Sequence, residues 1–161
     1  MVITKKYLVF PVSDFVKVRE IDFYSKDKLL DDIYIKLDYI NPKYNIYYPV
    51  EKYKGLNIDV IIHPDINFRW DQTDEPDYTF VYNCPFRPKL HFTAAFGWLN
   101  DPNGLFEYTS KVTGEKVYNM YFQYNPYGSK WGNMHWGHSV SKDLVHWEHL
   151  APAIARDTLG H

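Results

Sequence analysis

The chain has 161 residues, 45% of them hydrophobic and 19% aromatic, with a formal net charge of -2. Such a chain can bury a core, which excludes disorder, and its slight acidity speaks against a nucleic-acid binder, which carries a basic patch. No apolar run approaches the roughly 18 residues of a membrane-spanning helix, so neither nucleic acid nor membrane is an expected partner.

The start, "MVITKKYLVFPVSD", has one apolar patch, Tyr7 to Val12. It is too short for a signal-peptide core and lacks a small-residue cleavage site. Two readings stay open: a cytoplasmic protein, or a chain whose native start lies upstream. From there to residue 84 the sequence reads as short strands separated by turns: "YLVFPV", "VREIDFYS", "DIYIKLDYI", "NIYYPV", "LNIDVIIHP" and "YTFVYN". They are rich in Val, Ile, Tyr and Phe, and several alternate apolar with polar residues, the pattern of a half-buried antiparallel strand. "KDKLLDDIYIKL" is assigned to strand rather than helix on its β-branched and aromatic content. Strands at this spacing predict a small β-sandwich over residues 1–84.

"CPFRPKL" follows, and residues 85–90 read as a linker stiffened by two prolines. Cys84 is the single cysteine, so no internal disulfide can form, and it is expected to be a small buried apolar residue. Beyond the linker Trp, Gly, Asn and His become frequent.

In "WLNDPNGLF", Asp-Pro-Asn-Gly follows the preferences of a type I turn, and Pro102 is expected to push Asp101 toward extended geometry. The remainder reads as a meander: "LFEYT", a turn around Gly114, "VYNMYFQY", a loop "NPYGSKWGNM", "HWGHSVS", then "VHWEHL" joined through Lys142-Asp143. In "VYNMYFQY", Met120, Phe122 and Tyr124 fall on one face and Asn119, Tyr121 and Gln123 on the other. Four consecutive antiparallel strands make one propeller blade, and Leu105 to Leu150 is the length of one blade at about 40–45 residues. A lone blade leaves an apolar face uncovered, a surface for association. His135 and His138, and His146 and His149, are each three apart. On strands that spacing sends the rings to opposite faces, so no metal site and no cofactor are expected.

Read together, "WLNDPNG", "YFQYNP" and "WGNMHWGHSVSKDLVHWEHL" resemble the opening of a glycoside hydrolase family 32 catalytic domain, the invertase, inulinase and levanase family. The resemblance runs from Arg87 to about Asp157, and the N-terminal segment is similar, more loosely, to the small sandwich that precedes this domain in Bacteroides-like fructan hydrolases. It implies an all-β chain: a sandwich over 1–84, then over 91–161 the first blade of an incomplete five-bladed propeller. It also implies a retaining β-fructosidase acting on fructans (levan or inulin) or sucrose, periplasmic or extracellular in the family although no signal peptide is seen here. Carried over residue by residue, Asp101 corresponds to the nucleophile, and Asn100, Gln123 and Trp131 to substrate-binding positions. The chemistry suits them. A retaining glycosidase needs a carboxylate beneath the anomeric carbon, amides pair with hydroxyls, and an apolar ring complements the C–H face of a sugar.

Trp98, Trp136 and Trp147 are read as buried blade aromatics, and Glu107, Glu115 and Glu148 as solvated or structural. The acid/base glutamate and the Arg-Asp-Pro aspartate of the family are expected on later blades. "ARDT" has Thr158 where the family motif has proline, so Asp157 is read as a blade connection. The 161 residues alone are therefore expected to be inactive. Fructosyl transfer is a close variant of the reaction. A non-catalytic carbohydrate-binding or interaction module, and an inverting five-bladed glycosidase, are the alternatives.

Overall fold

In the strand β1 (Tyr7–Val12) every second side chain, Leu8, Phe10 and Val12, is buried, as one face against a core requires. The computed structural model describes residues 1–156, so Asp157 and Thr158 lie outside the described residues. The chain divides into two compact units, Met1–Asp77 with Tyr127–Ser129, and Tyr78–Pro126 with Lys130–Arg156.

The first unit adds β2 (Arg19–Ser25), β3 (Lys28–Ile35), β4 (Tyr44–Pro49), a 3-10 turn at Glu51–Tyr53, β5 (Asp59–His63) and β6 (Asp71–Thr73). They form two three-stranded antiparallel sheets, ordered β4-β1-β6 and β3-β2-β5. Rings from both sheets meet between them: Phe10 packs edge-on against Phe23 at 6.3 Å, and Phe23 stacks on Tyr48 at 4.3 Å. This is the two-layer sandwich that alternation predicts. One polar contact is buried with the rings: the Tyr48 hydroxyl donates to Asp31 Oδ2 at 2.5 Å. Burial and the neighbouring carboxyl push the Tyr48 phenol far above its ordinary range.

Three local expectations change. The strand predicted from Asp32 to Ile40 starts earlier, at Lys28, and stops at Ile35, because Leu37 crosses to bridge Val12 of the other sheet. The short polar strand β6 carries no apolar pattern; its Gln72 side chain instead accepts from the Thr4 and Lys5 amides at 2.9 and 3.2 Å. "YTFVYN" is not a strand. Thr79–Tyr82 form a single helical turn, α1, which lets Tyr78 and Phe80 both close on the buried ring of Phe96, at 5.3 and 6.2 Å.

The second unit continues with β7 (Trp98–Thr109), β8 (Lys116–Asn125), β9 (His135–Ser141) and β10 (Trp147–His149). These make one antiparallel meander, ordered β10-β9-β8-β7, the arrangement expected of a blade. Its core lies on the predicted face: Met120 and Phe122 with Ala94, flanked by Phe92, Leu99, Tyr124 and Trp147. The all-β class is borne out. Cys84 is exposed, not buried: the segment after α1 packs through Phe92, Ala94 and Phe96, and the thiol precedes that anchor.

Candidate functional site

The stretch holding Asp101 does not reverse the chain. Asn100, Asp101, Pro102 and Asn103 run within β7, whose 12 residues pair with the 10 of β8. The surplus is taken up at two irregularities. Asn100 faces Gln123 and Pro102 faces Phe122, so Asp101 is the extra residue of a bulge. A second step lies between Asn103, opposite Tyr121, and Phe106, opposite Asn119.

The backbone explains the composition. Asp101 adopts φ 39° and Gly104 φ 57°, so the extended geometry expected from Pro102 is not found. Asp tolerates the left-handed region better than most residues, and Gly enters it freely. At Gly104 an added Cβ would also stand 3.1 Å from the Tyr121 ring. The residue types that favour a turn are thus used to build bulges, which bend a strand and re-aim a side chain. Asp101 is exposed on this strand.

Register assembles its neighbours. Asn100 is opposite Gln123, and Gln123 is opposite Trp136, so the three share one face in a row across β7, β8 and β9. Among the described residues, no side-chain hydrogen bond engages Asn100, Asp101 or Gln123, leaving two amides and a carboxyl open to hydroxyl groups. The loop from Asn125 to His135 leaves the sheet at this same end, since Trp98 pairs with Asn125 and Tyr124 with His135. Trp131 lies on that loop, 71% exposed.

Of the predicted site residues, Asn100, Asp101 and Gln123 are adjacent in the ladder, and Trp131 is presented at the same end. Trp136 was expected in the core; it is half-buried and stands in the Gln123 row. Its alternation with Gly137 in "HWGHSVS" was the available signal. Trp98 and Trp147 are also half-buried, Trp147 packing 5.6 Å from Phe92.

Four histidines and two glutamates of the second unit have structural partners. His138 lies 2.9 Å from Asn119 Oδ1 and stacks on Tyr121 at 4.3 Å, while His149 lies 2.9 Å from Ser139 Oγ. His135 meets the Asn133 carbonyl and His146 the Asp143 carboxyl. The His146 ring and the amides of His146 and Val145 hold the Asp143 carboxyl well below the usual carboxylate range. Glu107 pairs with Lys116 at 2.9 Å and Glu115 with Lys142 at 2.5 Å, both at the surface.

The acid on the bulged edge strand thus lies beside two amides, with the half-buried Trp136 in the same row. Residues 91–161 match the family model described as "Glycosyl hydrolases family 32 N-terminal domain". The resemblance carried by the three motifs is borne out over this segment. The chain is 49% identical over 79 residues to the levanase of Bacillus subtilis (strain 168), an alignment covering 49% of this chain and 11% of that protein. It is 53% identical over 76 residues to the invertase of Schizosaccharomyces pombe, covering 47% and 12%. Among solved structures, fructan 1-exohydrolase IIa from Cichorium intybus shares 45% identity over 45% of this chain and 12% of its own, at a TM-score of 0.39. The chain thus spans only about one eighth of the length of these three relatives.

Proposed function

We propose that this chain belongs to a retaining glycosidase that hydrolyses β-fructosidic bonds in fructans or sucrose, with Asp101 as the nucleophile. The observation that carries the reading is the bulge: one extra residue in β7, at positive φ, is the aspartate, with Asn100 and Gln123 paired beside it. Relatives named levanase and invertase support the substrate class.

In this reading the Asp101 carboxylate attacks the fructosyl anomeric carbon as the glycosidic oxygen leaves with a proton. Water then resolves the glycosyl ester and regenerates the carboxylate. Asn100 and Gln123 hold fructosyl hydroxyls, and Trp131 offers a ring face to the sugar. The N-terminal sandwich is an accessory module, and the meander of the second unit is the first blade of the catalytic domain. The proton donor is a glutamate contributed by later blades, so the 161 residues by themselves release no fructose.

The test is Asp101→Ala in the intact polypeptide, with fructose release from sucrose, inulin and levan as readout. Loss of the nucleophile lowers kcat by at least about 10⁴-fold. A variant as active as the parent refutes the assignment.

A further inference from the structure

Resting on the reading above, we propose that Asn125 is a positioning residue that sets Trp131 for the sugar. Asn125 ends β8 and is 4% exposed, so its amide must find hydrogen-bond partners within the fold. Its Nδ2 donates to the Lys130 carbonyl at 2.8 Å, on the residue just before Trp131. Its Oδ1 lies 3.4 Å from Asn133 Nδ2, on the far side of Trp131. One buried amide therefore closes the loop from both flanks of the exposed ring.

The rest of the loop is built to that clamp. Asn133 is itself buried, at φ 42°, and its carbonyl meets His135 Nδ1 at 2.6 Å, tying the loop to the start of β9. Gly132 takes φ 148°, and a Cβ there would be 3.7 Å from Asn125 Nδ2. On the other side, Gly97 brings its backbone against Asn125: an added Cβ would fall 2.2 Å from the Asn125 carbonyl oxygen. Gly97 leads directly into β7, so the residue that fixes the Trp131 loop also abuts the strand bearing Asp101. An exposed indole otherwise loses freedom on binding sugar; a clamped loop has already lost it.

The proposal separates Asn125 from a residue that merely stabilises the sheet. In the intact polypeptide, Asn125→Ala raises KM for the fructoside about tenfold and leaves kcat within about threefold. Trp131→Ala produces the same split. The decisive measurement is the double variant: because Asn125 acts through Trp131, Asn125→Ala adds less than about twofold to KM once the indole is gone. Full additivity overturns the proposal.

A second readout is independent of activity. Tryptophan anisotropy, with the Trp131→Phe spectrum subtracted, reports the mobility of this one indole. Asn125→Ala lowers it; an unchanged value overturns the clamp. Asn133→Gly, which keeps the positive φ and deletes one flank, gives the same reading should Asn125→Ala not fold. If the parent polypeptide cleaves no fructoside, the functional reading fails and anisotropy alone decides the clamp.

Discussion

Gly137→Ala tests the packing behind the candidate site. Gly137 sits opposite Phe122 in the β8–β9 ladder. A Cβ at this position would lie 2.3, 2.6 and 2.7 Å from three atoms of the Phe122 ring, well inside contact distance. The ring cannot easily yield, since Phe92 and Tyr124 pack edge-on at 5.4 and 5.6 Å and Phe122 is 3% exposed. One methyl group forced into such a core costs about 1–3 kcal/mol. At roughly 4–8 °C per kcal/mol for a domain of this size, the second unit melts about 5–20 °C lower. Thermal unfolding followed by tryptophan fluorescence measures it, since four of the five tryptophans lie beyond residue 97. Phe122→Leu in the same chain restores part of the loss by vacating the ring. A melting temperature within about 2 °C of the parent would refute the close approach. Phe122 also faces Pro102 and adjoins Gln123, so the same substitution disturbs the row beside Asp101.

Two further outcomes follow from the same structure. Burial lowers the affinity of His138 and His149 for protons, with the Arg87 charge adding at His149. The unfolded chain then protonates first, so the histidine contribution is complete above the ordinary value of 6.5 and declines as pH falls below it. His149→Gln should flatten the dependence of melting temperature between pH 8 and 5; an unaltered slope would remove His149 from the explanation. In the first unit, Tyr48→Phe deletes the hydroxyl 2.5 Å from Asp31 Oδ2 and costs about 1–3 kcal/mol, read by urea unfolding. A neutral result would show that Asp31 does not depend on that donor.

Much of the architecture was legible in the residues. β1 and β9 fall where alternation places them, Tyr7–Val12 and His135–Ser141, because period-two patterning is a property of one strand. The inward face of β8 was legible for the same reason. Asp101, Asn100, Gln123 and Trp131 could be singled out from the three motifs read together. What could not be read locally was geometry that needs a second strand. Asp-Pro-Asn-Gly carries the same left-handed tolerance in a turn and in a bulge, and only the two-residue excess of β7 over β8 decides between them. "YTFVYN" has strand-forming residues, yet the ring of Phe96 draws them into a helical turn. The row of Asn100, Gln123 and Trp136, like the Asn125 clamp, exists only in the assembled sheet. Periodicity within a segment is written in its side chains, whereas register, bulges and the closure of a loop are set by whichever partner the folded chain supplies.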